Sequence, residues 1–480
     1  MISEARSESV PPLPMWVRVM DATALAVTAI LVWKVLSADT RAGIFDFIPH
    51  IRVSFLIYAA VGLIALRQIA FPRPSAVGRL VQAWRRVGDR PYFGPAVRVF
   101  LATRLFVFVV GIFSVAAFGL HKPGVVLNSD PLTNLPMRFD AGWYGGIATH
   151  GYDRDVNFER QRNFAFFPAM PLLMRVVAPV FGSSGNGLPP ERRMVRTLWA
   201  GVAVSLAAFL LALYYFVKLA AQLLGPERAA GATLLLAAYP FACFFNAPYT
   251  ESLFLLASVA AAYHFGRAEW AYAAGWGFLA GLTRPNGFFL SVPLVLLALR
   301  QLVSVRTAGT GRDWSQSVKA LAAAAMPVAG MLAFTTYLYF LIGVWFAWSR
   351  SHQAWGRSFT GLQPLRDGYW RLQHEGLVGV ALASPFDMLN ALAALFALLM
   401  IWPVARRLGA AWALYIVLIV VPPIFAGGAL SLGRMTSTLF PIFLALAAIL
   451  PSRSVPGWAV AFAILQGLCA AMFYTWRELF

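Results

Sequence analysis

The chain has 480 residues, 60% hydrophobic and 12% charged, with a mean hydropathy of +0.68. A water-soluble protein of this length needs far more polar surface, so the composition argues for a polytopic membrane protein, and continuous rather than alternating apolar runs argue against a β-barrel. The formal net charge of +19 suggests nucleic acid at first, but the basic residues are scattered between apolar segments, as in the loops of membrane proteins. Only Lys34, Lys122, Lys218 and Lys319 are lysines. The arginine excess suits planar recognition of phosphate, and GC-rich coding gives the same bias. Cys243 and Cys469 lie in apolar runs and form neither a disulfide framework nor a metal motif.

The polar segment Met1–Pro14 lacks the order of a signal peptide, so the run Trp16–Leu36 is expected to stay as a helix. Thirteen spans are predicted, near 16–36, 51–71, 97–120, 197–221, 229–247, 250–267, 270–284, 286–302, 319–342, 386–404, 411–430, 434–450 and 456–475. The short ones are read as tilted, broken or re-entrant. The expected class is all-α and polytopic, with residues 1–96 an N-terminal extension of two spans and 97–480 the main membrane domain.

Orientation follows from charge. The linker Phe71–Arg98 carries six arginines against Asp89, so it is expected in the cytoplasm, and the third span then delivers the loop 121–196 to the other side. Arg300–Lys319, Arg406, Arg407 and Arg453 fall inside on the same count. Phe164–Gly182 is apolar but holds three prolines and Arg175, and it is read as juxtamembrane or re-entrant. That reading leaves Arg192, Arg193 and Arg196 outside, which a long external loop tolerates. A second external loop covers 343–385. No internal repeat of the transporter kind is visible.

With this topology the unusual polar residues gather on one face. Arg138, Asp140, Trp143, Tyr144 and His150 lie in the first external loop; Asn246, Tyr249 and Glu251 between the fifth and sixth spans; Thr283, Arg284 and Asn286 between the seventh and eighth. His352, Trp355 and Arg357 lie in the second external loop, and Arg434 at the mouth of the twelfth span. Convergence of five places argues for an active site. Each residue also has a plainer reading. Asp140 can pair with Arg138 at a loop surface. Glu251 can serve the dipole of a helix N-terminus. Arg284 can snorkel before Pro285. The histidines can be structural, and Trp143, Tyr144 and Trp355 can belong to an interfacial belt. Asp153, Asp155 and Glu159 read as solvated loop acids. No pair of His or acidic residues has metal-ligand spacing.

Six ordered motifs carry a resemblance. Arg138-Phe-Asp-Ala-Gly-Trp-Tyr with His150-Gly-Tyr152, Phe166-Phe-Pro-Ala-Met-Pro-Leu-Leu-Met-Arg175, Tyr249-Thr-Glu-Ser-Leu-Phe254, Gly281-Leu-Thr-Arg-Pro-Asn-Gly287, His352-Gln-Ala-Trp-Gly-Arg357 and Ser431-Leu-Gly-Arg434 resemble the PIG-V-type mannosyltransferases over roughly residues 97–450. Met435 departs from the pattern, which puts an aromatic residue after the arginine. The resemblance implies a GT-C glycosyltransferase fold and a site on the non-cytoplasmic face. It implies a polyprenyl-phosphate mannose donor, and a glycolipid, cell-envelope glycan or protein acceptor. Composition and short loops look bacterial. On that basis Asp140 is the expected general base, with Glu251 assisting it, and Arg284, Arg357 and Arg434 are the expected phosphate ligands. Arg138, Trp143, Tyr144, His150, Tyr249, His352 and Trp355 complete the expected substrate site. No metal site is assigned, and a divalent ion stays open. The rival class is a lipid or lipid-linked sugar flippase, which would place its charges midway along helices.

Overall fold

A computed structural model describes residues 14–36, 53–71, 88–128, 130–184, 187–307 and 314–479. The chain divides into two compact units, Met1–Arg90 and Pro91–Phe480. Every regular element among the described residues is helical.

In the first unit α1 (Met15–Leu36) packs on α2 (Val53–Ala70). Asp21 accepts a bond from Arg67 Nε at 3.1 Å. A lone charge in an apolar helix is expensive, so the two are buried as a pair.

The second unit begins with α3 (Phe93–Phe118), followed by the short α4 (Ala141–His150) and α5 (Ala169–Val177). Then come α6 (Pro190–Leu224), α7 (Pro226–Ala238), α8 (Glu251–Gly266) and α9 (Trp270–Thr283). α10 (Ser291–Thr307), α11 (Trp314–Ile342), α12 (Ala347–Ser351) and α13 (Gln363–Ala383) lead to α14 (Pro385–Leu399) and α15 (Ile401–Leu408). The last four are α16 (Ala410–Gly427), α17 (Leu432–Ser437), α18 (Phe440–Ile449) and α19 (Val455–Tyr474).

Among the described residues seven helices are long and apolar enough to cross a bilayer. An eighth is obtained if α7 and the turn Pro240–Asn246, bent by 78°, count as one. The sequence predicts thirteen spans, the short ones tilted, broken or re-entrant, and for three of the short ones the structure gives a physical reason. α8, α9 and α18 have 16, 14 and 10 residues. At about 1.5 Å per residue they reach only ~15–24 Å, short of a hydrocarbon core of about 30 Å. Every residue of α8 from Glu251 to Phe265 is buried. A helix that is apolar all round can be surrounded by protein as well as by lipid, and α8 is held by α6 and α9. The Phe164–Gly182 segment forms α5 and a 3₁₀ turn, Ala178–Phe181. Together they reach about 20 Å, too short to cross.

The break after α7 shows how buried backbone is satisfied away from water. Pro240 has no N–H to continue the helix. Arg104, buried in α3, donates Nη1 to Ala242 O and Asn246 Oδ1, each at 2.6 Å, and Nη2 to Ala237 O at 2.9 Å. Gln466 of α19 donates to Ala237 O and Tyr239 O, both at 2.9 Å. Asn246 is therefore a structural partner of Arg104.

α9 and α11 meet backbone to backbone. A Cβ on Gly281 would stand 2.0 Å from the Pro327 carbonyl oxygen, and one on Gly287 would stand 2.1 Å from that of Ala280. Both glycines of Gly281-Leu-Thr-Arg-Pro-Asn-Gly287 thus permit close packing. Gly281→Val should push α9 from α11 and destabilise the fold by about 1–3 kcal/mol or more. Thermal unfolding of the detergent-solubilised protein measures this; an unchanged melting temperature contradicts it.

Candidate active site

Asp140 owes its position to the residue on each side. Phe139 has φ +44°, a left-handed backbone that an aromatic residue adopts only when its surroundings enforce it. Its ring lies 4.7 Å from Trp476 and 5.9 Å from Phe473. The reversal sends Arg138 and Asp140 in different directions. Arg138 is fully buried. It donates Nε to Tyr474 O at 2.7 Å and Nη1 to Asn134 O and Met137 O at 2.8 and 2.7 Å. Asp140 instead starts α4, and its N–H donates to Tyr249 Oη at 3.1 Å. The Tyr249 hydroxyl donates in turn to Arg138 O at 2.9 Å.

The Asp140 carboxylate meets a residue 294 positions away: Arg434 Nη1 lies 2.6 Å from Oδ2. Arg434 sits in α17, which follows Ser431, where φ is +58°. Its Nε donates to Glu251 Oε1 at 2.9 Å, and Arg284 Nη1 donates to the same oxygen at 3.1 Å. The Arg434 guanidinium lies 4.7 Å from the Tyr249 ring centroid and 5.2 Å from that of Phe244, a favourable cation–π placement. Asp140, Arg434, Glu251 and Arg284 form one chain of two acids and two bases. Glu251 is completely buried, whereas the Asp140 side chain is 16% exposed.

Asp140, Arg284 and Arg434 open onto a cavity of about 640 Å³, a size suited to a small ligand. Tyr144, Phe166, Asn286, His352, Trp355 and Arg357 share its wall, and Phe288, Phe289, Leu418 and Pro422 make an apolar side. Arg357 Nη2 donates to Leu430 O at 2.8 Å, and no carboxylate pairs with it among the described contacts. Burial, with Arg434 and Arg284 nearby, lowers its pKa to about 10, which leaves it cationic at neutral pH. The cavity therefore carries one cation beyond its ion pairs. His352 Nδ1 lies 2.6 Å from Trp348 O, so Nδ1 holds the proton and Nε2 is left as an acceptor. Burial holds the His352 imidazole below its usual pKa, and Arg357 adds to this.

The expected residues fall into three places. Asp140, Tyr144, Arg284, His352, Trp355, Arg357 and Arg434 line the cavity. Arg138, Tyr249 and Glu251 lie behind it, and Trp143 packs there too, stacked on Phe166 at 5.7 Å with the edge of Trp355 at 5.2 Å. His150 is exposed at the end of α4, with Nδ1 2.8 Å from Thr149 Oγ1. Arg175 secures that helix end by donating to Ala148 O and Ile147 O at 2.7 and 3.0 Å. The apolar side was missed from sequence, because Phe288 or Leu418 looks like any residue of a lipid-facing run. Among the described residues no group of three or more His, Cys, Asp or Glu could hold a metal ion.

The family model of mannosyltransferase (PIG-V) matches residues 122–355. That region, just under half of the chain, is similar to the PIG-V mannosyltransferases. With the apolar helices of the second unit, it marks a multi-pass membrane glycosyltransferase. Asp140, Glu251 and Arg284 lie within the matched region, whereas Arg357 and Arg434 lie beyond it. No curated protein matches the chain. Similar solved structures include ArnT from Cupriavidus metallidurans bound to undecaprenyl phosphate, at 15% identity and TM-score 0.41, covering 80% of this chain and 76% of that one. The Archaeoglobus fulgidus oligosaccharyltransferase, in complex with Zn and sulfate, aligns at 15% identity and TM-score 0.36, covering 79% and 52%.

Proposed function

We propose that this protein transfers a mannosyl residue from a polyprenyl-phosphate donor to an acceptor hydroxyl, on the non-cytoplasmic face of a bacterial cell membrane. The observation that carries the reading is the cavity itself: Asp140, Arg357 (a cation with no carboxylate partner among the described contacts) and a set of apolar residues line it together. An anionic, lipid-linked sugar needs those three surfaces together. The acceptor is a glycolipid, cell-envelope glycan or protein. The architecture proposed is GT-C-like, with about thirteen membrane segments, of which α8, α9 and α18 are too short to cross alone, and residues 1–96 are an added pair of spans.

In this mechanism Asp140 takes the proton of the acceptor hydroxyl as its oxygen attacks the anomeric carbon. The bond from that carbon to the phosphate oxygen breaks on the opposite face, and polyprenyl phosphate leaves with the electron pair. The anomeric configuration inverts. Arg357 receives the phosphate through charge-assisted hydrogen bonds, and His352 Nε2 accepts a bond from the ligand. Tyr144 and the Trp143–Phe166–Trp355 aromatic group shape the sugar site. Arg434 orients Asp140, and Glu251 holds Arg434 and Arg284 in place.

Purified protein incubated with radiolabelled polyprenyl-phosphate mannose and a membrane extract tests the reading. Label should move into a new product. Label that stays on the donor, or crosses a vesicle unchanged, rejects it. Arg357→Gln should weaken donor binding about tenfold to a hundredfold, the worth of a charge-assisted bond of ~1.5–3 kcal/mol. Titration of wild type and variant with unlabelled donor measures this; equal affinity removes Arg357 from the phosphate site.

A further inference from the structure

The Asp140–Arg434 pair joins segments far apart in sequence, and one short stretch of chain touches the approach to both. Tyr474 O accepts from Arg138 Nε, two residues before Asp140, at 2.7 Å. The Trp476 ring lies 4.7 Å from Phe139 and 5.8 Å from the Arg138 guanidinium. Thr475 O accepts from His121 N–H at 2.8 Å, fixing the same stretch to the start of that loop. At its far end Leu479 O accepts from Asn390 Nδ2 at 2.9 Å. Asn390 Oδ1 accepts from Gly433 N–H, one residue before Arg434, at 2.8 Å. Asn390 is 1% exposed, and among the described residues its amide is otherwise bonded only to Phe386 O in its own helix. Tyr474, Thr475 and Leu479 are buried as fully.

We infer that residues 474–479, acting through Asn390 and Trp476, form a clamp that sets the geometry of the Asp140–Arg434 pair. Asn390 and Trp476 are positioning residues; neither lines the cavity. The local geometry demands such a clamp on both sides. Phe139, next to Asp140, and Ser431, three residues before Arg434, each hold a left-handed backbone, at φ +44° and +58°. Such conformations persist only where the surroundings over-determine them. The Phe139 ring is held by Trp476 and Phe473. The first turn of α17 is held by Asn390, which reads the Leu479 carbonyl with one end of its amide and the Gly433 N–H with the other. Gly433 cannot give way sideways, since a Cβ there would stand 2.2 Å from the Phe241 ring. A shift of the 474–479 stretch is therefore passed to Asp140 and to Arg434 together.

The consequence for turnover rests on the transferase reading; the geometric claim does not. Two variants separate them. Asn390→Ala removes the link to Gly433, and Trp476→Leu removes the ring under Phe139 without costing a hydrogen bond, because the indole N–H has no partner among the described residues. Electron cryo-microscopy of each full-length variant should show Asp140 and Arg434 out of hydrogen-bonding distance in at least one of them. A retained pair near 2.6 Å in both overturns the clamp. In the transfer assay each folded variant in which the pair has parted should lose about tenfold to a hundredfold in kcat with donor KM little changed. In an Asp140→Asn background the same changes should have little further effect, because both act through Asp140. Additive losses there mean a merely structural role and also overturn it. Inactive wild-type protein would reject the transferase reading alone, with the clamp still decided by the pair geometry.

Discussion

Asp140→Asn is expected to remove nearly all transfer, by about 10²–10⁴-fold in kcat, the usual worth of a general base. The fold should survive. The substituted side chain keeps an amide oxygen that can still accept the Arg434 bond, and Arg434 retains Glu251 at 2.9 Å. The site is also partly open, with 16% of the Asp140 side chain exposed, so loss of the charge is screened. Donor affinity should stay within a few-fold, since Arg357 and His352 are untouched. Single-turnover transfer and donor titration on purified protein separate these quantities. Transfer close to that of the wild type would sink the assignment of Asp140, and lost donor binding would move Asp140 from chemistry to recognition.

Glu251→Gln should damage the fold more than any other conservative change at the site. Its Oε1 receives both Arg434 and Arg284, and its side chain is completely buried. Neutralising it leaves two guanidiniums facing one carboxylate in a low-dielectric interior. Breaking a buried pair from one side costs about 3–5 kcal/mol. The expected result is a large fall in melting temperature and in folded yield. A second change tests the cause. Glu251→Gln combined with Arg284→Met removes one of the stranded cations and should recover part of the loss. A melting temperature unchanged in Glu251→Gln, or no recovery in the double variant, contradicts the ion-pair account. Recovery of the fold without recovery of transfer is the expected pattern, because Arg284 also lines the cavity.

Several parts of the site were legible because they are local. Asp140, Trp143 and Tyr144 stand together in one short stretch, and Arg284 sits in a motif whose glycines have steric reasons. The partner of Asp140 was not legible. Arg138 lies two residues away and offers the nearest opposite charge, yet the left-handed turn at Phe139 aims it at the carbonyls of Asn134, Met137 and Tyr474. Glu251 looks like a residue placed for a helix dipole; its second task, joining two arginines, needs α9 and α17 to meet at the head of α8. His150 shares a motif with Asp140 but ends on the exposed end of α4, because a helix turns its residues to different sides.

By itself the sequence determined a helical membrane protein and the chemical types at its polar breaks. Long apolar runs leave backbone groups no partner but their own helix in lipid. The tertiary structure decided which charges pair and which cation faces the cavity without a carboxylate. It also decided which apolar helices are wrapped in protein. An arginine bonds whatever acceptor the fold brings within about 3 Å, and sequence separation says nothing of that distance. An apolar helix reads the same in a hydropathy profile whether its neighbours are lipid chains or other helices.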